Sequence, residues 1–288
     1  VSALSYTSAK RRRATKAEME SRKSQLVSIV VEQQPMTVRQ VFYQATVRGI
    51  VPKTENGYQM VATALAELRR DGRIPFRWIA DHTRWMRRPR TYSNIAHALR
   101  ETAKFYRRAL WDHSPSYVEV WIEKDALTGV IMPMTEEFDV PLMSAKGYPS
   151  LTFLHSAAAQ MAEEDRPCFV YQFGDHDPSG VDAARAIEEN LREMAPGAEI
   201  HFKRVAVTPE QISEWNLPTR PTKTTDTRSK KWNGGDSVEL DAIDPDTLRG
   251  LVRDCIERHV DKRKLEIIRV AEESERQQLA MFAREARQ

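Results

Sequence analysis

Tyr117-Val118-Glu119-Val120-Trp121-Ile122-Glu123-Lys124 is where this 288-residue chain turns from helices alone to strands alternating with helices. Residues 117–123 read as a strand, followed by a helix over 127–138, a strand over 141–144 and a helix over 151–163. A third strand over 168–173, a helix over 180–194 stopped by Pro196-Gly197, and a strand over 199–207 continue the alternation. This order implies a mostly parallel sheet flanked by helices. Open sheets of that kind build their sites at the carboxyl ends of strands, which is where Glu123, Asp175 and Asp177 fall. Beyond the last strand, 217–236 reads as an exposed loop, and two helices, 245–260 and 262–287, finish the chain.

Working back toward the start, residues 16–110 carry a different pattern. Apolar spacing over 17–32 predicts a first helix ending before Pro35, and Thr37 can cap a second that stops at Gly49. Asn56 or Gly57 opens a third, which the Asp71-Gly72 turn closes. With the extended stretch 74–79 behind them, these helices predict a winged-helix, CAP-like domain over 16–110. A connecting helix over 93–110 leads to the α/β part, 111–288, and residues 1–15 form a basic tail.

Apolar residues make up 41% of the chain and charged residues 30%, and no apolar run reaches spanning length. That composition excludes the disordered and membrane classes. The polar start shows no secretory leader, so a cytoplasmic address is expected. Cys168 and Cys255 are too few and too far apart for a disulfide framework or a zinc site. The net charge of +3 hides an asymmetry: the chain is +14 up to Leu110 and −11 after it. Arg69, Arg70, Arg73 and Arg77 stand beside Trp78, and Arg84, Arg87, Arg88 and Arg90 beside Trp85. Clusters of this kind predict contact with nucleic acid, against the plainer reading of solvated helix faces.

The chemistry is expected at the acidic strand ends. Three carboxylates gathered there repel one another unless a cation sits among them, and magnesium (Mg2+) prefers such oxygen ligands. An Asp-x-Asp-Pro-x-Gly run can also be a simple turn whose aspartates cap the next helix. Paired with a strand-end Glu followed by Lys, it resembles the Toprim module of topoisomerases, primases and certain nucleases. Ala145-Lys146-Gly147-Tyr148-Pro149-Ser150 is similar to the Gly-Lys-Gly-Tyr-Pro-Asp signature of the topoisomerase VI A subunit and its meiotic break-forming relatives. Ala145 and Ser150 are the two departures. In the basic half, Arg39-Gln40-Val41-Phe42-Tyr43 resembles that family's Arg-x-x-Tyr-Tyr sequence, with Phe42 in place of the first Tyr. The short chain and the run Ile79-Ala80-Asp81-His82-Thr83-Arg84 look like the compact mini-A group of bacterial and viral type IIB topoisomerases.

The resemblance implies a role for each residue. Tyr43 would be the nucleophile, Arg39 its cationic neighbour, and Glu123, Asp175 and Asp177 the magnesium ligands. Lys124, Lys146, Arg69, Arg70, Arg73, Arg84, Arg87 and Arg88 would contact double-stranded DNA. It also implies a homodimer with composite active sites, the tyrosine of one protomer working with the metal site of the other. Two such sites would break both strands and hold each 5′ end on a tyrosine. On periodicity alone, Tyr43 would be a core aromatic of an amphipathic helix. No Gly-x-x-x-x-Gly-Lys-Ser/Thr loop occurs, so gating would come from supercoil tension or from a separate ATPase B-type subunit. Two other functions fit part of the pattern. One is a hydrolytic Toprim nuclease of plasmid or phage defence, and the other is a winged-helix DNA binder whose α/β half only dimerises. His176 could be an outer ligand or solvated, and the loop 222–231 could be a DNA-facing or dimer-facing flap.

Overall fold

The computed structural model describes residues 15–80, 89–112, 114–222, 232–233 and 235–286. Arg84, Arg87 and Arg88, the tail 1–14 and nearly all of the expected flap lie outside the described residues.

Three helices come first: α1 (Lys16–Gln33), α2 (Val38–Val47) and α3 (Glu55–Arg70). Thr15 and Thr37 close capping boxes with Glu18 and Gln40, which satisfies the first orphan amides of α1 and α2. Helix α2 is followed, after its cap Arg48, by Gly49, whose φ of 69° lies in the left-handed region that favours glycine. The third helix starts earlier than the sequence suggests, because Thr54 rather than Asn56 or Gly57 caps it, its hydroxyl accepting from the Gly57 amide at 3.1 Å.

The extended stretch expected over 74–79 is not a strand. Phe76–Trp78 is a 3-10 turn in which the Trp78 amide donates to the Pro75 carbonyl at 3.0 Å. A proline withholds the donor that a ladder needs, so the segment keeps a single bridge, Ile79 to Met36. No two-stranded wing forms among the described residues.

After α4 (Ile95–Phe105) the alternating part begins, with β1 (Tyr117–Ile122), α5 (Thr128–Glu137), β2 (Leu142–Ser144), α6 (Leu151–Ala162), β3 (Cys168–Phe173), α7 (Pro178–Met194), β4 (Ile200–Ala206) and α8 (Pro209–Glu214). Helices α9 (Pro245–Glu257) and α10 (Lys262–Glu285) close the chain. The four strands are all parallel in the order β2-β1-β3-β4. The chain leaves β1 toward β2 on one side and returns to β3 on the other, so the strand order reverses between β1 and β3. That switch point opens a crevice at the carboxyl ends of the two strands.

The two faces of the sheet bury different sets. Trp121, Leu154, Ala158, Met161, Ile187 and Leu191 form one cluster under α6 and α7. On the opposite face Val118, Val120 and Ile122 belong to a second cluster that continues through α5 and α9 into α1, α2 and α3. The N-terminal helices therefore share a core with the sheet. They are also tied to it by polar contacts through α9 and the segment before it: Thr37 donates to Asp241 at 3.2 Å, Gln33 to Asp244, and Arg249 of α9 to the Pro35 carbonyl at 3.0 Å. No described helix is long and apolar enough to cross a membrane.

Candidate active site

A cleft of about 670 Å³ runs between α2, α3 and the carboxyl edge of the sheet, with Arg39, Tyr58, Arg69, Glu123, Lys124 and Lys146 in its walls. Glu123 follows β1 directly. Its amide donates to the Phe173 carbonyl at 2.9 Å, extending the β1–β3 ladder, and its Oε2 accepts from the Asp175 amide at 2.9 Å. Two glycines make this placement sterically allowed. A Cβ on Gly174 would stand 2.6 Å from Glu123 Oε2, and one on Gly180 would strike the Asp175 carbonyl oxygen and lie 3.1 Å from Glu123 Oε2. Gly174 thus leaves room for Glu123 and for Gln172 Nε2, also 2.6 Å away, and Gly180 chiefly for the Asp175 carbonyl.

Asp175 is buried and accepts the Leu240 amide at 2.7 Å on Oδ1. Asp177 caps α7, its Oδ1 accepting from the Gly180 amide at 2.8 Å. The capping role expected of a plain turn is therefore real for Asp177, and it coexists with electrostatic coupling to Glu123. Burial, then the negative charge of Asp175, pushes the Glu123 carboxyl up to about 7. Burial also raises Asp175, against the pull of Lys124. Arg204 braces the loop from behind, donating to the Asp175 carbonyl at 2.7 Å and the Gly174 carbonyl at 3.2 Å.

Lys124 points into the acids rather than out to solvent. Its Nζ lies 2.6 Å from Asp241, 3.1 Å from Asp175 and 3.3 Å from Glu239. Burial would lower its pKa, yet the three carboxylates outweigh that and hold it above the ordinary lysine value. Arg39 donates to Glu239 Oε2 at 2.5 Å, and its guanidinium stands 5.6 Å from the centre of the Tyr58 ring.

Tyr43 is 7% exposed and does not line the cleft. Its ring packs 5.5 Å from Phe42, and Lys53 Nζ lies 5.9 Å from its centre. Burial, then the charge of Glu239, pushes its hydroxyl up to about 12, while Lys124 and Arg39 favour the phenolate. Periodicity correctly marks it as a packed aromatic, and the fold sets that aromatic beside the acidic cluster of its own chain.

The other expected residues divide. Arg69 and Lys146 reach the cleft, Arg70 is exposed, and Arg73 pairs with Glu20 on α1 at 2.5 Å. His176 is buried at 4% exposure, which removes the solvated reading; its amide and carbonyl form a bridge with Val238. Cys168 and Cys255 are buried thiols. Among the described residues no three His, Cys, Asp or Glu side chains converge on a metal position as they stand.

Four residues of the site were not singled out from the sequence: Tyr58, Arg220, Glu239 and Asp241. The last two carried a readable signal. Val238 and Leu240 alternate with Glu239 and Asp241, the period of an extended segment with one acidic face. Both carboxylates are buried, at 5% and 3% exposure. Glu239 takes Arg39 and Lys124 on one oxygen and Arg220 at 2.8 Å on the other. Burial opposes ionisation of Glu239, yet Lys124, Arg39 and Arg220 hold its carboxyl down at about 2. A scan against protein-family models finds no match, and a search of curated proteins finds no similar chain.

Proposed function

We propose that this chain belongs to the DNA-processing enzymes built on a Toprim-like α/β unit, with α1, α2 and α3 serving as its DNA-binding helices. Within that class we favour a type IIB topoisomerase A-subunit relative that cleaves and rejoins double-stranded DNA. The observation that carries this is Glu123 at the switch point, lodged between Gly174 and Gly180, coupled to Asp175 and Asp177, and facing a cleft with Arg39, Lys124 and Lys146. A carboxylate lifted to about 7 by burial and by a neighbouring carboxylate is a group whose ionisation a divalent cation favours, so the donor chemistry fits magnesium. Glu123, Asp175 and Asp177 would hold it, and it would neutralise charge on the phosphate oxygens.

In the reaction the Tyr43 oxygen forms a bond to phosphorus as the bond from phosphorus to the 3′ oxygen breaks, leaving a 3′ hydroxyl and a 5′ phosphotyrosine. Resealing reverses both changes and needs no ATP. Arg39 and Lys124 lower the cost of the phenolate. Because the ring is buried, α2 must move outward before attack, which suits a site shared between the two protomers of a homodimer.

The burial of Tyr43 and its raised pKa favour a second reading, a hydrolytic nuclease that uses the same acids and forms no covalent link. Supercoiled plasmid incubated with magnesium, then quenched with detergent and analysed with and without protease, separates the two. The first reading expects protein-linked linear DNA that Tyr43→Phe abolishes; linear DNA without attached protein, formed equally by Tyr43→Phe, establishes the second.

A further inference from the structure

Glu239, buried behind Arg39 and Lys124 of the cleft wall, is the feature of the site that the proposed reaction leaves without a part. Three cations from separate stretches of chain converge on it: Arg39 of α2, Lys124 after β1, and Arg220. Their exposures differ from that of the group they hold. The side chains of Arg39 and Arg220 are 46% and 36% exposed, whereas that of Glu239 is 6% exposed. The cations can be approached from solvent and the carboxylate cannot. A carboxylate and a phosphodiester each carry one negative charge and two equivalent oxygens, and guanidinium forks bind both.

The backbone around Glu239 is buried from Ser237 to Ile243 but belongs to no regular ladder. The segment is neither in the sheet nor in a long helix; it is joined through isolated bridges, Arg220 to Ser237 and His176 to Val238, and runs into a 3-10 turn at Leu240–Ala242. Asp241 and Asp175 still balance Lys124 if Glu239 withdraws.

Building on the DNA reading above, we propose that Arg39, Lys124 and Arg220 form a phosphate subsite that Glu239 fills as an internal stand-in until a phosphate of the nucleic acid displaces it. Displacement also removes the negative charge of Glu239 from the neighbourhood of Tyr43, so the exchange couples arrival of DNA to easier ionisation of that hydroxyl.

The test compares Glu239→Gln with Asp125→Asn, a carboxylate removed from the wall of the adjoining cleft, in the full chain without divalent metal and with circular dichroism as the check on folding. Two probes are titrated, a short DNA duplex by fluorescence anisotropy and inorganic pyrophosphate by calorimetry. Glu239→Gln is expected to tighten both by about tenfold, equivalent to about 1.4 kcal/mol, and Asp125→Asn to change either by no more than about twofold. Equal gains in the two variants, or weaker binding by a natively folded Glu239→Gln, overturn the subsite. A gain for pyrophosphate alone upholds the subsite and tells against the DNA reading. In the wild-type chain, saturating pyrophosphate should speed hydrogen exchange at the Val238 and Leu240 amides, which donate to His176 and Asp175. Slowed or unchanged exchange there also overturns the proposal, and this arm does not depend on any variant folding.

Discussion

Strand β1 and the residue that follows it carry two glutamates in very different settings, Glu119 buried on the face under α6 and α7 and Glu123 half-buried at the carboxyl edge. Glu119 is 0% exposed and accepts from the Tyr117 hydroxyl at 2.8 Å and the Trp121 indole at 2.6 Å. Burial raises its pKa, and both named partners are uncharged donors that lower it. Glu123 is raised as well, but there the negative charge of Asp175 adds to burial. Burial raises both; what distinguishes Glu123 is like charge drawn to one place and a cleft open beside it.

The largest effect should come from exchanging that charge. Glu123→Gln is expected to lower DNA cleavage by at least about a hundredfold. The same substitution should stabilise the metal-free protein by on the order of 1–3 kcal/mol at pH 8, since it removes the cost of ionising a carboxyl raised to about 7. Chemical denaturation alongside plasmid cleavage checks both; loss of activity together with loss of stability would place Glu123 with Glu119. For Glu119→Ala the expectation is reversed. Two buried donors lose their acceptor, costing about 2–3 kcal/mol, while cleavage per folded molecule stays near wild type.

A steric substitution sharpens the contrast. Gly180→Ala places a methyl against the Asp175 carbonyl and Glu123 Oε2 and should cost about 1–3 kcal/mol and most of the cleavage activity. Gly197→Ala meets nothing within 4 Å and serves as the control. Titration gives a smaller signal with opposite signs. The Glu123 contribution makes the metal-free fold gain stability as pH falls from 8 through 7 toward the ordinary glutamate value of 4.5. The Glu239 contribution is present above 4.5 and is lost as pH falls toward 2. Urea midpoints measured from pH 8 to pH 3 should therefore rise and then fall. The least effect is expected from Arg73→Ala, whose exposed pair with Glu20 is worth about 0–1 kcal/mol.

The same contrast explains which parts could be read from the sequence. Strand β3 lies where the apolar run placed it, 168–173, and β1 stops one residue short of Glu123, which is why that side chain leaves the sheet at the crevice. Those features follow from local periodicity and turn chemistry. Among the described residues the stretch 74–79 forms a 3-10 turn rather than a strand, because Pro75 withholds the donor a ladder needs. Glu239 was not recognised because its partners are remote: Arg39 is 200 residues away along the chain, and only the folded arrangement brings the two together. The position of Tyr43 beside Glu239 and Lys124 of its own chain has the same origin.

The most direct test of the carboxyl edge is a carbon-detected NMR titration of the Glu123 carboxyl with and without millimolar magnesium. The account predicts a midpoint near 7 in the metal-free protein and a fall of about two units or more when magnesium is added. A midpoint at the ordinary glutamate value that magnesium leaves unmoved would contradict it.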